Sequence, residues 1–267
     1  MGHHLNLQVR QSTLDQTQTV LPRSQLSFHI RETGVDEDSM TPSFETVILT
    51  YRKDFKKLQR CLESIIQHGL GHDTEPIHII VNDYPPACKD VQEFLPNDPR
   101  FCVRSYEEFG QWKGQLDWYS QQWFKLAVSN IVLSEWYLLI DCDIMLQKPI
   151  RHKDMFTNNR AHYNKTNIDF KNANLVRRLS SAYCHWNDTM DDQGYFMTDL
   201  TPFIMHTQTV KEMLPCIGPE LFDSSKDKIT TEFFLWSAYL DHRGIKDKLY
   251  HPIKNTTNRM FQTWCPN

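Results

Sequence analysis

Apolar residues in this chain gather into short runs, and the polar residues that end each run carry most of the candidate chemistry. Thr46-Val47-Ile48-Leu49-Thr50 is apolar and β-branched and predicts a buried strand, followed by a polar turn, Tyr51-Arg52-Lys53-Asp54. Phe55, Leu58, Leu62 and Ile65 then recur at the spacing of one helix face. A second strand, Ile77-His78-Ile79-Ile80-Val81, again ends in polar side chains, Asn82-Asp83-Tyr84, before Pro85-Pro86 break the chain. Strand, helix, strand in this order predicts a βαβ unit with parallel strands and a right-handed crossover. A shorter strand over Phe101 to Ser105 and a glycine- and aromatic-bearing loop, Phe109 to Gly114, lead to a helix predicted from Trp118 to Leu133. Its core face is Phe124, Ala127, Val128 and Ile131, which leaves Gln121, Gln122 and Lys125 off the central stripe. The run Trp136-Tyr137-Leu138-Leu139-Ile140 is too short for an independent helix and predicts a fully buried strand.

The second half is less periodic. Arg151 to Asn174 is polar and basic and reads as loop with a short helix, either a cover over a ligand or a surface excursion. Phe203-Ile204-Met205 predicts a strand ending at His206, and Thr230-Thr231-Glu232 opens a helix with a threonine cap and an early carboxylate. Lys248-Leu249-Tyr250-His251-Pro252 predicts a last strand ending in a histidine. The expected class is α/β: a mostly parallel central sheet flanked by helices, a small antiparallel extension, and a partly irregular N-terminal arm over residues 1–42. The arm is rich in Gln, Ser and Thr, and part of it, such as Gln25 to Arg31, suits an edge strand. Residues 43–267 read as one domain, divided into halves 43–150 and 151–267.

Composition narrows this only modestly. A chain of 267 residues with 40% hydrophobic and 23% charged residues can bury one sizeable core. The net charge of -4 supplies no bulk attraction to nucleic acid or an anionic membrane. No stretch approaches the roughly 18 apolar residues of a membrane span, and the first residues lack the pattern of a secretory signal, so a cytoplasmic protein is expected. The seven cysteines have no C-x-x-C spacing, which argues against a disulfide framework and a zinc knuckle. The sequons beginning at Asn164, Asn187 and Asn255 read as coincidence in that setting. Neither G-x-G-x-x-G nor a P-loop is present, which disfavours a dinucleotide enzyme or an ordinary kinase.

The chemistry concentrates at the end of the strand from Trp136. Asp141 and Asp143 flank one residue at its carboxyl end, where open α/β sheets place ligands, and alternate side chains of extended chain point the same way. Two carboxylates facing one point suit a hard divalent cation, Mg²⁺ or Mn²⁺, that completes its shell with water and the oxygens of a nucleotide diphosphate. An Asp-x-Asp alone also occurs in solvated turns; here a buried strand precedes it and Ile144, Met145 and Leu146 follow. Lys125, near the start of its helix, can face phosphate or sugar or form a solvated flank.

The strand at 47–50, the run Ser120-Gln121-Gln122-Trp123-Phe124-Lys125-Leu126-Ala127 and the strand ending in Asp141-Cys142-Asp143 together resemble the GT-A-fold glycosyltransferases, over roughly residues 44–253 and most closely a small microbial and viral group of them. The resemblance implies a Rossmann-like, GT-A-like domain that moves a hexosyl or pentosyl unit from a nucleoside-diphosphate sugar to an acceptor hydroxyl, with 43–150 as its nucleotide-binding half and 151–267 as its acceptor side. It implies metal ligands at Asp141 and Asp143, and a late histidine, His251, with His206 as competitor. Donor-binding residues expected with it are Thr50, Tyr51, Arg52, Asp83, Gln122, Lys125 and Asp141, with Tyr51 stacking on the base. Glu232 matches the acceptor-side acidic position; read from its residues alone it is equally a capping glutamate. If configuration inverts, Glu232 is the first candidate base and Asp192 the second. The acceptor is left open among a glycan, a lipid-linked sugar, a protein, a small molecule and a modified nucleobase in DNA. The alternatives are a nucleotidyltransferase of similar fold, which would release pyrophosphate, and a non-catalytic sugar-nucleotide-binding protein.

Overall fold

Three strands of the first half are buried along their whole length because they lie inside a sheet with both faces covered. They are β1 (Phe44–Thr50), β2 (Ile77–Val81) and β4 (Trp136–Asp141), the last of which opens only at Asp141. With β3 (Phe101–Ser105) and β9 (Phe203–His206) they form a five-stranded sheet in the order β3-β2-β1-β4-β9, parallel except for β9. The structure is a computed structural model; it describes residues 42–70, 75–110, 112–190, 195–197, 201–222, 230–253 and 261–263. These belong to one unit, Met40–Asn267, and the expected N-terminal arm lies outside the described residues.

The chain moves outward from β1 through β2 to β3, then returns to lay β4 on the other side of β1. That reversal creates a crevice at the carboxyl ends of β1 and β4, and the fold thereby fixes where a ligand can enter. Helix α1 (Phe55–His68) follows β1 and buries Phe55, Leu58, Cys61, Leu62 and Ile65, as its spacing predicts. After a single turn, α2 (Ala87–Asp90), and β3, helix α3 (Trp118–Ala127) begins at Asp117, whose carboxylate accepts the amides of Tyr119 (2.8 Å) and Ser120 (3.1 Å). It is shorter than expected: the last turn tightens into a 3₁₀ segment, Val128–Asn130, and Ile131 is only partly buried. Gln122 and Lys125, expected off the core stripe, are buried, because a second layer packs over that flank.

The second layer departs most from expectation. After β5 (Ile144–Leu146) and the turn α4 (His152–Met155), the polar stretch expected as loop forms β6 (Phe156–Thr157) and the eight-residue strand β7 (Arg160–Asn167), then helix α5 (Ala173–His185). Ala161 and Tyr163 are buried on one face of β7 while its other side chains are polar, so composition hid a half-buried strand. The β6–β7 turn is Asn158-Asn159, both at positive φ (50° and 59°), the geometry of a tight hairpin that asparagine tolerates. Strand β8 (Tyr195–Met197) pairs antiparallel with β7. Helix α6 (Thr207–Met213) follows β9 and is capped by His206, whose ring accepts the Thr209 amide.

Helix α7 (Glu232–His242) is buried from Glu232 through Leu240, as a helix enclosed on all sides must be. After the turn α8 (Lys246–Leu249), β10 (Tyr250–Ile253) joins β7 in parallel, and β11 (Phe261–Thr263) pairs with β5. A chain of contacts ties α7 and β10 to β9 of the five-stranded sheet: Trp236 donates to the Tyr250 hydroxyl (3.1 Å), which donates to the Ile204 carbonyl in β9 (2.8 Å). Among the described residues no helix is long and apolar enough to cross a membrane.

Candidate active site

A cleft of ≈ 840 Å³ opens at the reversal point. Its floor is Asp141, Cys142 and Asp143 at the end of β4; its walls are Tyr51, Arg52, Lys53, Asp54 and Lys57 after β1, Asp83 after β2, and Asp117, Trp118, Gln121 and Lys125 along α3. The walls are positioned by polar strand ends. Asn82, fully buried at the end of β2, donates to the Asp117 carbonyl (3.1 Å) and to Ser120 Oγ (3.0 Å), pinning the start of α3. Asp83 accepts the amides of Arg52 (3.2 Å) and Tyr84 (2.8 Å), so it shapes the loop after β1. Arg52 pairs with Asp90 and Lys57 with Asp54 (2.8 Å).

The floor crowds negative charge. Burial, and then the neighbouring Asp141, push the Asp143 carboxyl up, with Lys57 partly offsetting them. Cys142 is pushed up to about 12, first by burial and then by Asp54, so its thiol stays neutral between the two carboxylates. Asp141 is held from behind: Thr201 donates to Oδ2 (2.5 Å) and the Lys125 ammonium lies 3.2 Å from Oδ1. The same ammonium is 3.1 Å from Glu232 Oε1, an ion pair rather than an aligned hydrogen bond, and Oε2 receives no hydrogen bond among the described residues. Burial alone would push the lysine down; Glu232 and then Asp141 outweigh it and hold the ammonium above the usual range. Removing one member of such a buried pair typically costs about 3–5 kcal/mol.

Of the residues expected at the site, Tyr51, Arg52, Asp83, Lys125, Asp141 and Asp143 line this cleft. Thr50 is fully buried, with its hydroxyl donating to the Tyr51 carbonyl (3.3 Å). Gln122 is buried and its amide donates to the Trp118 carbonyl (3.0 Å), while Gln121 takes the cleft face. Glu232 is 0% exposed, behind Lys125. As the first residue of α7 it does not occupy the third-position slot of a capping box; Thr231 caps the helix on the Phe234 amide (3.4 Å). His251 lies in β10, its Nδ1 facing Arg160 (3.3 Å) and its ring 6.1 Å from that of His162. Among the described residues no three His, Cys, Asp or Glu side chains converge on one point, so His251 is not gathered with Asp141 and Asp143 into a ready-made metal site. Asp192 lies outside the described residues.

The sequence pattern of DUF6492, a family of unknown function, matches residues 45–263, from β1 to β11. The chain belongs to this family. No curated protein sequence matches it. Among solved structures this DUF6492 chain is similar to the bifunctional glycosyltransferase WbbM (12% identity, TM-score 0.39), covering 80% of its own length and 38% of WbbM's. It is similar to the galactosyltransferase LgtC, in complex with donor and acceptor sugar analogues (13% identity, TM-score 0.45, covering 73% and 70%). It is also similar to mouse xyloside xylosyltransferase 1 (10% identity, TM-score 0.44, covering 79% and 84%).

Leu49, Asp54, Lys57, Trp118, Gln121 and Thr201 line or brace the DUF6492 cleft without being among the site residues expected from sequence, beside the expected Tyr51 and Lys125. Trp118, Gln121 and Lys125 follow each other by three and four, so they share one helix face; that spacing was a readable signal. Leu49 and Tyr51 line the cleft while Thr50 between them does not, the period of two expected at a strand end. Asp54 and Lys57 belong to the tight turn and first helical turn after β1, and no pattern marks them as facing the floor. Thr201, sixty positions from Asp141, had no local signal.

Proposed function

We propose that this chain is a metal-dependent glycosyltransferase that moves a hexosyl or pentosyl unit from a nucleoside-diphosphate sugar to an acceptor hydroxyl. The observation that carries the reading is the pair Asp141 and Asp143 on the floor of a cleft at the reversal of strand order, opposite Arg52, Lys53 and Lys57. The residues fit a hard cation: two carboxylates supply oxygen donors, the crowded charge that pushes Asp143 up is what a cation relieves, and the remaining positions suit water and diphosphate oxygens. When bound, such an ion supplies charge neutralisation for the departing diphosphate.

This chain's own residues do the rest. Asp143, and Asp141 beside it, would hold the cation; Arg52, Lys53 and Lys57 offset diphosphate charge at the wall. The nucleobase lies among Tyr51, Arg52, Asp83 and Trp118; the Lys53 ammonium covers the Tyr51 ring at 5.1 Å, whereas Trp118 is 47% exposed at the cleft. Trp118→Ala should therefore weaken nucleotide binding more than Tyr51→Phe, read by calorimetry; equal affinities would move the base elsewhere. In the reaction the anomeric C–O bond to the diphosphate breaks with its electron pair leaving on the phosphate oxygen, and a C–O bond to the acceptor forms. The acceptor proton passes to a carboxylate if configuration inverts, for which the sequence offers Glu232 first and Asp192 second, or to the leaving phosphate if it is retained.

The deciding experiment is a thermal-shift panel of UDP-, GDP-, CMP- and TDP-sugars with and without Mn²⁺ or Mg²⁺, followed by product analysis. A matching donor at a hundred times its Kd should stabilise by about 2.7 kcal/mol, and the shift should vanish on chelation. Release of nucleoside diphosphate supports the reading. In a parallel arm, pyrophosphate released from a nucleoside triphosphate and a sugar 1-phosphate, with no transfer from the sugar nucleotides, makes the chain a nucleotidyltransferase, and binding without turnover on any acceptor makes it a binding protein.

A further inference from the structure

We propose that Lys125 and Glu232 form a positioning pair for Asp141: the glutamate holds the lysine, the lysine holds one oxygen of Asp141, and Glu232 is not the acceptor base. The proposal rests on reading the cleft as the donor site. Its warrant is a gradient of access along three charged groups: the Asp141 side chain is 44% exposed, that of Lys125 6%, and that of Glu232 0%. A general base must come within hydrogen-bond reach of the proton it takes. Glu232 is fully buried and does not line the cleft, and the cleft residue beside it is the Lys125 ammonium.

The lysine is engaged on three sides by protein: Asp141 Oδ1 at 3.2 Å, Glu232 Oε1 at 3.1 Å, and the face of the Phe233 ring, 5.1 Å from Nζ to its centroid. Its backbone is anchored as well, since the Tyr137 hydroxyl donates to the Lys125 carbonyl (3.0 Å). Tyr137 and Asp141 lie on the same strand, so β4 holds α3 and α3 returns an ammonium to the end of β4. With Thr201 on Oδ2, both oxygens of Asp141 are fixed from behind and the carboxylate faces the cleft in one orientation. Among the described residues no side chain hydrogen-bonds the Asp143 carboxylate, and Lys57 only partly offsets its charge, so it is the carboxylate left to turn toward an ion.

The second role of Glu232 is to share the ammonium's charge. With both carboxylates ionised, one lysine between them leaves a net charge of -1 on the three groups, so Asp141 keeps enough negative charge to favour a cation beside Asp143. Without the glutamate's charge, the ammonium would neutralise Asp141 alone. A base and a charge-sharing brace therefore predict different things of the same substitution.

The test is Glu232→Gln in the full chain, with Mn²⁺ titrated by electron paramagnetic resonance in the absence of any nucleotide and acceptor. The expected result is Mn²⁺ affinity lower by roughly tenfold, on the scale of one nearby charge at a partly buried site, in a protein that still melts cooperatively in EDTA. Lys125→Met alone would strand the buried glutamate and can fail to fold, so Lys125→Met with Glu232→Gln is the second variant; it should recover Mn²⁺ affinity to the wild-type level or better. A Glu232→Gln protein with wild-type Mn²⁺ affinity overturns the proposal, and a fall in turnover alongside it returns Glu232 to the role of base. If the wild-type chain binds no Mn²⁺, the donor-site reading has failed, and the pair is judged from melting in EDTA. Asp141→Asn and Glu232→Gln must then be non-additive, since one lysine couples them; strict additivity overturns the pair.

Discussion

The two larger sheets among the described residues show two ways of building with similar numbers of strands. In the β3-β2-β1-β4-β9 sheet the strands β1, β2 and β4 are buried on both faces while the edge strand β3 is only partly buried, and side chains turn polar where strands end; the β10-β7-β6 sheet, with β8 paired to β7, is half-buried, and β7 is polar along most of its length. In the first, apolar burial and chemistry are separated along each strand. In the second they alternate across it. The difference decides where function can sit: strand ends at a reversal of order make an open cleft, whereas the second layer supplies cover and bracing, through Trp236, Tyr250 and the first residue of α7. Changes at strand ends of the first sheet should therefore damage binding with little loss of stability, and changes in the second layer the reverse.

The largest expected effect is at the floor. Asp143→Asn keeps volume and removes the charge that the proposed cation would need, so on the proposed function metal-dependent donor binding and kcat/KM should fall together, by roughly 10²- to 10³-fold in kcat/KM. Asp143 is not fully buried, so thermal stability should stay within about 1 kcal/mol of wild type. Turnover near the wild-type level would remove the floor from the mechanism. Next in size is the opposite case. Trp236→Ala empties a fully buried site and takes the donor from the Tyr250 hydroxyl, which should cost about 3–5 kcal/mol in urea unfolding. If Trp236→Ala instead spared stability and cut donor affinity, the division between cleft and brace would be wrong.

How much of this could be read from the sequence follows from the same contrast. β1, β2 and β4 were legible because a strand enclosed on both faces is nearly continuous in apolar residues, and Asp141 and Asp143 were legible because they end such a strand. The βαβ order and the helix starts at Trp118 and Glu232 followed from spacing and caps. β7 was not legible: only Ala161 and Tyr163 mark its buried face, and Arg160, Asn164 and Lys165 read as loop. The position of a side chain around a helix was harder still. Gln122 and Lys125 sit three apart on one helix, yet one turns back to its own backbone and the other meets a carboxylate from α7, a partner more than a hundred positions away. Long-range charge pairing leaves no local pattern.

The first sheet also contains one exception to its own rule, and it offers a pH test of intermediate size. Glu45 is buried in the middle layer on β1, where its Oε1 accepts the amides of Leu133 and Ser134 (both 2.7 Å) and its Oε2 meets His78 Nε2 (2.5 Å). Burial pushes this carboxyl up, but the His78 contact and the two amides more than offset it and leave it below the usual range. A carboxyl lowered in the folded state stabilises fully above its unfolded value, roughly pH 4.3, and loses that contribution as pH falls through the lower folded value. Glu45→Gln should cost about 1–3 kcal/mol near neutrality, and the gap from wild type should narrow below about pH 4. A gap independent of pH down to the acid transition would mean that the charge at Glu45 contributes nothing.

The smallest expected effect probes the second sheet where its geometry is most local. Asn158 and Asn159 join β6 to β7 through two residues at positive φ (50° and 59°), between the paired Thr157 and Arg160. In a hairpin turn of this hand the second position is best filled by glycine, which has no Cβ to oppose the left-handed backbone. Asn159→Gly should change stability by only a few tenths of a kcal/mol, because relief in the folded turn is opposed by greater freedom in the unfolded chain. Asn159→Ala has no such relief and lacks asparagine's tolerance of the region, so it should cost about 1–2 kcal/mol. The comparison of alanine with glycine isolates the backbone from the side chain. Equal urea midpoints for the two would show that the turn does not hold this conformation in solution, and the register of β7, which aligns His162 with His251 and Ala161 with Tyr250, would then have to be set by Tyr250 packing instead.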